Sequence, residues 1–555
     1  MPATALLMPA TAFAASPEPV HARHGMVVSS SSHAAAAGAE ILVAGGNAVD
    51  AAVATAFAVA VTQPFSAGLG GGAFMLIRLP DGQVHALDAR ETAPAAATRD
   101  MYVKAGVPER ASVQGPLAVA VPSFARGMEL ALTRFGTMTL AQVVVPAVRL
   151  AEQGFALAPY QASRIEFMRR YITPERFPET YRIQFAPAAD GRAEPGDLLV
   201  QKDLAATLRA IGKQGAGVIH GGQVGQKIVD HVQGLGGILT LKDLSDYAPR
   251  LREPVTGTYR GFSVHSFPPP SSGGAVLLET LNILEGFELA PLGPRSSQSL
   301  HLVTEAMKLA FADRATFMGD ADFVDVPMER LVSKDYASAQ RARIDLEKAT
   351  VVAAPGAPPD DAGTAHLSVT DGQGGAVALT MTINTSYGSG ITVPGTGIVL
   401  NNEMDDFSVA PDTPNAYGLV DKRGANAIAP GKRPLSSMTP TIVEKNGAVF
   451  MVTGSPGGPR IISTVLLTLL YVLDFGMDVQ EAVAAPRYHH QWIPDKLRVE
   501  PETSRDVVEA LRRRGHTVEV SKRHWSAAEA IVIDPETGFH LGGSDPRTQG
   551  AAVGH

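Results

Sequence analysis

The sequence predicts an α+β protein with a large helix-rich part and a smaller strand-rich part, and three observations predict it. Residues 100–350 alternate amphipathic helical patterns with loops, while segments from 364 onward alternate apolar and polar residues with the period of strands. The change of period falls on a Pro/Gly/Asp-rich stretch, VVAAPGAPPDDAG at 351–363, whose composition suits a flexible connection. With 555 residues, 45% hydrophobic and 18% charged, the chain can bury a large core and exceeds one ordinary domain in length.

Taken in order, the first nineteen residues, MPATALLMPATAFAASPEP, hold an apolar stretch ending in the Ala-x-Ala-like AFAAS, as the tail of a secretory signal does. No Lys or Arg precedes it and Pro9 interrupts it, which leaves a truncated signal or a mis-set start; the expectation is a periplasmic or secreted protein. Residues 20–80 read as a strand, a helix and a Gly-rich turn into another strand. Asn47 is placed to cap a helix over AVDAAVATAFAVAVT (48–62), with Asp50 favouring its positive end. That run and IISTVLLTLLYVL (461–473) fall short of the ~20 residues of a membrane span and read as buried helices. LAQVVVPAVRLAEQG (140–154) and SLHLVTEAMKLAFADRATF (299–317) carry apolar residues at helical spacing. Beyond 364, AHLSVTD, GAVALTMTI and TPTIVEKNGAVFMVTG read as strands, the last broken by the hairpin signal Asn446-Gly447.

The formal charge of −8 gives no general pull toward nucleic acid or an anionic membrane, and LRRRGH (511–516) reads as the end of a surface helix. Without cysteine there is no disulfide, thiol nucleophile or cysteine metal site. GLGGGA (68–73) imitates a dinucleotide fingerprint but runs into the strand-like FMLIR, where phosphate binding needs a helix. His489-His490 and the other histidines show no HExxH spacing, so neither a metal nor a cofactor is expected.

Thr364 opens the strand-like run directly after the flexible stretch. A threonine there is ordinary strand composition. If the Gly363–Thr364 bond is cut, however, Thr364 gains an α-amine with a pKa of roughly 7.7–8.0, which can take the proton of its own hydroxyl. His366 then reads as a hydrogen-bonded structural residue, since the amine fills the role of base.

Around Thr364 stand TMTINTSYGSG (380–390), GIVLNNEMDDFS (397–408), KRPLSSMTPTIV (432–443) and TGSPGGPR (453–460), preceded by GGNAVDAAVA (45–54), GLGGGAFMLIR (68–78), LDARETAP (87–94) and PPPSSGG (268–274). In this order, from about Gly25 to the C-terminus, they resemble the γ-glutamyltranspeptidase family of N-terminal-nucleophile hydrolases. The resemblance implies a four-layer αββα sandwich and self-cleavage between Gly363 and Thr364, giving a large subunit (20–363) and a small subunit (364–555) that stay together.

It further implies Thr364 as nucleophile, Thr382 as its supporting hydroxyl, and the backbone N–H groups of Gly457 and Gly458 as oxyanion donors. Arg90, with Ser436 and Ser437, would bind the α-carboxylate of a γ-glutamyl substrate; Asn384, Glu403 and Asp406 would bind its α-amine. Residues 408–435, with Tyr417, resemble the loop that covers this pocket. Ala365 departs from the family, which often has a second Thr there. The function implied is transfer of the γ-glutamyl group of glutathione or related amides to water, amino acids or peptides. The alternatives are a cephalosporin (glutaryl) acylase of the same fold, whose acyl group lacks the α-amine, and an uncut binding protein.

Overall fold

The computed structural model describes residues 17–185, 191–352, 363–410, 412–548 and 550–555. The first sixteen residues of the signal-like segment and residues 353–362 of the stretch expected to be flexible lie outside the described residues.

Before Thr364 the main strands are β1 (Val20–Ala22), β2 (Gly25–Ser29), β3 (Gly72–Arg78), β4 (Val84–Ala89), β5 (Arg250–Arg252), β6 (Val255–Tyr259) and β7 (Phe262–Ser266). After it come β8 (Ala365–Asp371), β9 (Ala376–Thr382), β10 (Thr441–Lys445), β11 (Ala448–Gly454), β12 (Glu529–Ile533), β13 (His540–Ser544) and β14 (Ala551–Gly554). They form two seven-stranded antiparallel sheets, in the orders β14-β2-β8-β9-β3-β4-β5 and β1-β13-β12-β11-β10-β7-β6. Strands from both sides of Thr364 thus pair within each sheet.

Helices α1 (Ser32–Val43) and α2 (Ala48–Thr62) cover the outer face of the first sheet. Over the second lie α3 (Gly273–Leu284) and α5 (Arg460–Leu473), with α4 (Ser297–Phe317) packed on α3. With β8 and β9 facing β11 and β12 between them, the layers run helix, sheet, sheet, helix, as an αββα sandwich requires.

Local chemistry explains the elements that carry the site. Every residue of α2 is buried, and its alanines allow close approach to the sheet. Asn47 Oδ1 accepts from the N–H of Val49 and Asp50, each at 3.0 Å, while Asp50 accepts from Asn47 N–H at 2.9 Å, closing a capping box. Strand β8 is buried on both faces. Leu367 and Val369 join the apolar core that includes α2 residues, whereas His366 bonds Thr380 (2.9 Å) and Ser368 (3.2 Å). Burial pushes the His366 imidazole down to about 3, so it is neutral at working pH.

Two expectations change in detail. Residues 20–80 hold two helices, α1 and α2, separated at Gly45-Gly46, where one was expected. The 140–154 pattern splits into Leu140–Val143 and Val145–Gln153, because Pro146 has no N–H to continue the first turn. The predicted hairpin stands at Asn446-Gly447, both at positive φ, and the surface helix Arg505–Arg513 ends at the arginine cluster. GLGGGA runs into β3 with no helix. No helix of the described residues is long and apolar enough to cross a membrane.

Candidate active site

Thr364 stands immediately before β8, and Thr382 is the last residue of β9. Because β8 and β9 pair with Ala365 opposite Met381, the next pair outward is Thr364 and Thr382, whose hydroxyls are 3.0 Å apart. Thr382 Oγ1 also accepts the N–H of Asn384 at 2.8 Å, which orients it. Thr382 is therefore buried in the site, not a strand threonine facing solvent.

Thr364 adopts φ 95°, a region that a β-branched residue rarely enters. Its N–H donates to Ser66 O at 3.0 Å, and the Gly363 N–H donates to Asn384 O at 3.1 Å. Glycine at 363 answers to close approach: a Cβ there would lie 2.3 Å from Asn384 O. The strain sits on Thr364 itself.

Arg90 follows directly on β4 and is fully buried. Its guanidinium donates to Glu403 and Asp406, and its Nε to Pro434 O at 3.2 Å. Glu403–Asp406 form one 3₁₀ turn, in which residues three apart eclipse, so both carboxylates reach the same arginine. Asn401 Oδ1 accepts from Glu403 N–H at 2.9 Å, and Asn384 Nδ2 donates to Asn402 O at 3.0 Å, tying this turn to the loop that follows Thr382.

Ser436 is held by its backbone: its N–H donates to Pro270 O (2.8 Å), and its carbonyl accepts from Ser272 N–H (2.9 Å) and Oγ (2.8 Å). PPPSSGG thus braces the serine pair. Gly457 and Gly458, at φ 136° and 59°, lie between β11 and α5, and neither N–H has an acceptor among the described residues. The Tyr417 hydroxyl donates to Asn384 O at 2.9 Å, and its ring lies where a Cβ on Gly458 would come within 2.7 Å.

One cavity is lined by Arg90, Thr364, Thr382, Asn384, Glu403, Asp406, Tyr417, Ser436, Ser437 and Gly458. Gly457 instead lines a second cavity that Thr364 also borders. Leu419, Leu435, Met438 and Ile461 supply apolar wall that the sequence did not single out. Glu91 was also missed, although it stands inside LDARETAP; it is buried 3.7 Å from Arg90 with neither carboxyl oxygen hydrogen-bonded among the described residues.

Electrostatically, one cation faces the buried carboxyls of Glu403 and Glu91 and the partly buried carboxyl of Asp406. Burial alone would lower Arg90, but Glu403, Asp406 and Glu91 hold it above its ordinary value. Burial raises Glu403 well above the usual carboxylate range, opposed by Arg90; burial also raises Asp406, again opposed by Arg90. Glu91 is pushed up to about 8 by burial, against the attraction of Arg90. Elsewhere, His301, Glu305 and His516 bring ligand-type atoms within 4.8 Å of one another, but Lys308 Nζ, 2.8 Å from Glu305, already supplies positive charge there.

A four-layer sandwich with a strand-leading threonine at its centre is the arrangement of N-terminal-nucleophile hydrolases. The family model Gamma-glutamyltranspeptidase matches residues 34–555. A glutathione hydrolase proenzyme of Escherichia coli (strain K12) is 44% identical over 96% of this chain and 91% of its own. One from Pseudomonas sp. (strain A14) is 43% identical over 98% and 96%. Among solved structures, the cephalosporin acylase of Bacillus halodurans aligns over 100% of this chain and 99% of its own, with a TM-score of 0.87 and 32% identity. The chain belongs to the γ-glutamyltranspeptidase family.

Proposed function

We infer that the protein is a self-cleaving γ-glutamyltransferase and glutathione hydrolase that carries the γ-glutamyl group as an ester on Thr364. The carrying observation is the convergence, in one cavity with Thr364, of a buried guanidinium, the buried Glu403 carboxyl and the partly buried Asp406 carboxyl. A γ-glutamyl group presents an α-carboxylate and an α-ammonium. Arg90 with Ser436 and Ser437 suits the first; Glu403, Asp406 and Asn384 suit the second. Substrate entry would exchange the present Arg90 contacts for this cross-pairing, leaving both buried charge pairs satisfied.

In the proposed sequence, Thr364 Oγ1 first attacks the Gly363 carbonyl carbon, and the acyl group moves from nitrogen to oxygen. That shift breaks the Gly363 C–N bond and frees the Thr364 α-amine; water then hydrolyses the ester, releasing residue 363 as a carboxylate and restoring the Thr364 hydroxyl. In turnover that amine takes the Oγ1 proton as Oγ1 attacks the donor's γ-carbonyl carbon. The N–H groups of Gly457 and Gly458 would stabilise the oxyanion; loss of one such donor costs about 2.7–4 kcal/mol in other enzymes. The leaving amine departs with the proton, and water or an acceptor amine resolves the ester. A signal-like N-terminus supports action in the periplasm or outside the cell.

The acylase reading is separated by paired substrates. With γ-glutamyl-p-nitroanilide and glutaryl-p-nitroanilide, which differ by the α-amine, the γ-glutamyl compound is expected to react with at least tenfold higher kcat/KM, since a charge-assisted contact is lost in the other. Equal rates, or preference for glutaryl, would support the acylase instead.

A further inference from the structure

Asp406 borders two cavities. Besides the donor cavity it lines a third one with Arg314, Ser408, Asp421 and Asn426, and Leu419 and Leu435 are common to both. Arg314 lines the third cavity and not the donor cavity, so Asp406 has one arginine in each, Arg90 and Arg314. Arg314 stands on α4 and is buried, yet its guanidinium forms no ion pair among the described residues; its Nε donates to Ser272 Oγ at 2.9 Å. That hydroxyl in turn donates to Ser436 O at 2.8 Å, so the same arginine also braces the serine end of the donor site.

Burying a cation without compensation is costly, and most acids nearby are engaged elsewhere. Asp313, beside Arg314 on α4, accepts from the Tyr336 hydroxyl at 2.6 Å and from Gln340 Nε2 at 3.0 Å. Asp421 accepts the N–H groups of Arg423 (3.0 Å), Gly424 (2.9 Å), Ala425 (3.2 Å) and Asn426 (2.8 Å). Asp405 accepts from Ser112 Oγ and Ala416 N–H, each at 2.8 Å, while Glu403 and Glu91 face Arg90. Burial pushes the Arg314 guanidinium down to about 10, against the attraction of Asp406 and Asp421, so it is cationic at neutral pH. In return, the rise that burial imposes on Asp406 is opposed by Arg90 and by Arg314.

We propose that Arg314 is a positioning residue that determines donor specificity: from outside the donor cavity it holds Asp406 as a carboxylate when Arg90 turns to the donor's α-carboxylate, and so sets the preference for acyl donors that carry an α-ammonium. The inference rests on the γ-glutamyl-transfer reading. Arg90 now donates to Asp406; once that fork grips the substrate, Arg314 is the protein cation left beside Asp406. A protonated Asp406 would offer the ammonium a neutral acceptor, whereas the ionised form adds charge to the hydrogen bond. Arg314 itself touches no reacting atom and acts through Asp406.

The test compares kcat/KM for γ-glutamyl-p-nitroanilide and glutaryl-p-nitroanilide in the parent, Arg314→Gln and Arg314→Lys, and in Asp406→Asn with and without Arg314→Gln. The ratio of two substrates in one preparation does not depend on the fraction that has folded and cut itself. Arg314→Gln should lower the γ-glutamyl preference about tenfold, through donor KM more than kcat, and Arg314→Lys should restore most of it. In Arg314→Gln the acid limb of kcat/KM for the γ-glutamyl compound should move to higher pH, because Asp406 without that cation takes up its proton sooner as pH falls. With Asp406→Asn present, Arg314→Gln should change the ratio no further. An unchanged ratio in Arg314→Gln, or the same fall with and without Asp406→Asn, overturns the proposal and leaves the transferase reading standing. Where Arg314→Gln yields no cut chain, Arg314→Lys decides: a ratio within about threefold of the parent's supports the role of charge, and a tenfold loss overturns it. A parent that matures yet shows no preference for the γ-glutamyl donor overturns both readings.

Discussion

Thr364 combines a left-handed backbone, φ 95°, with a hydroxyl 3.0 Å from that of Thr382. Such a conformation costs about 1–3 kcal/mol and persists only when its surroundings enforce it, here Ser66 and Asn384 through backbone hydrogen bonds. Arg90 is the second determinant. Arg90→Lys keeps the charge but loses the planar fork, so kcat/KM for γ-glutamyl donors should fall roughly 10–150-fold, the equivalent of about 1.5–3 kcal/mol; an unchanged value would remove Arg90 from donor binding. Glu91 supplies a pH signature. Its folded-state value is raised from 4.5 to about 8, so between those values the folded chain binds more protons than the unfolded one. Its contribution to stability is therefore present below 4.5, declines as pH rises through that window, and is gone above about 8. In thermal unfolding followed against pH, Glu91→Gln should flatten that decline, with the variant gaining most relative to the parent at the alkaline end.

At the scale of elements, the register of β8 with β9 brings the Thr364 and Thr382 hydroxyls together, and a 3₁₀ turn brings both carboxylates to Arg90. These juxtapositions were only partly legible in the sequence. Alternation disclosed β8, β9 and the β10–β11 hairpin, and motif resemblance singled out Thr364, Thr382, Arg90, Glu403 and Asp406. Glu91 stayed hidden because an acidic residue beside an arginine reads as a surface pair until burial is known. The apolar wall stayed hidden because Leu435 or Ile461 reads as core. Between 20 and 80 the sequence reading placed one helix, over 48–62 with its Asn47 cap, and passed over α1, whose Ala-rich SHAAAAGAEILV carries little amphipathic contrast. That cap has its own test: Asn47→Ala removes the capping-box acceptor and its bond to Phe135 O, and should cost about 0.5–2 kcal/mol in denaturant unfolding without changing where the chain is cut.

For the whole molecule, the sheets decide what cleavage does. In one sheet β8 and β9 lie between β2 and β3; in the other, β10 to β13 lie between β1 and β7. Separating the two parts would strip paired strands from both sheets and open the core between them, so the cut protein should elute as a single species in size-exclusion chromatography and resolve into two chains only in denaturant. Elution of separate fragments without denaturant would contradict this architecture. The central claim, that one threonine cuts the chain and then carries the substrate, is tested most directly by intact-mass analysis of the wild type and Thr364→Ala after incubation at neutral pH. A fragment of residues 364–555 from the wild type alone, with the variant whole, is the predicted result. Two uncut proteins, or the same fragments from both, would contradict it.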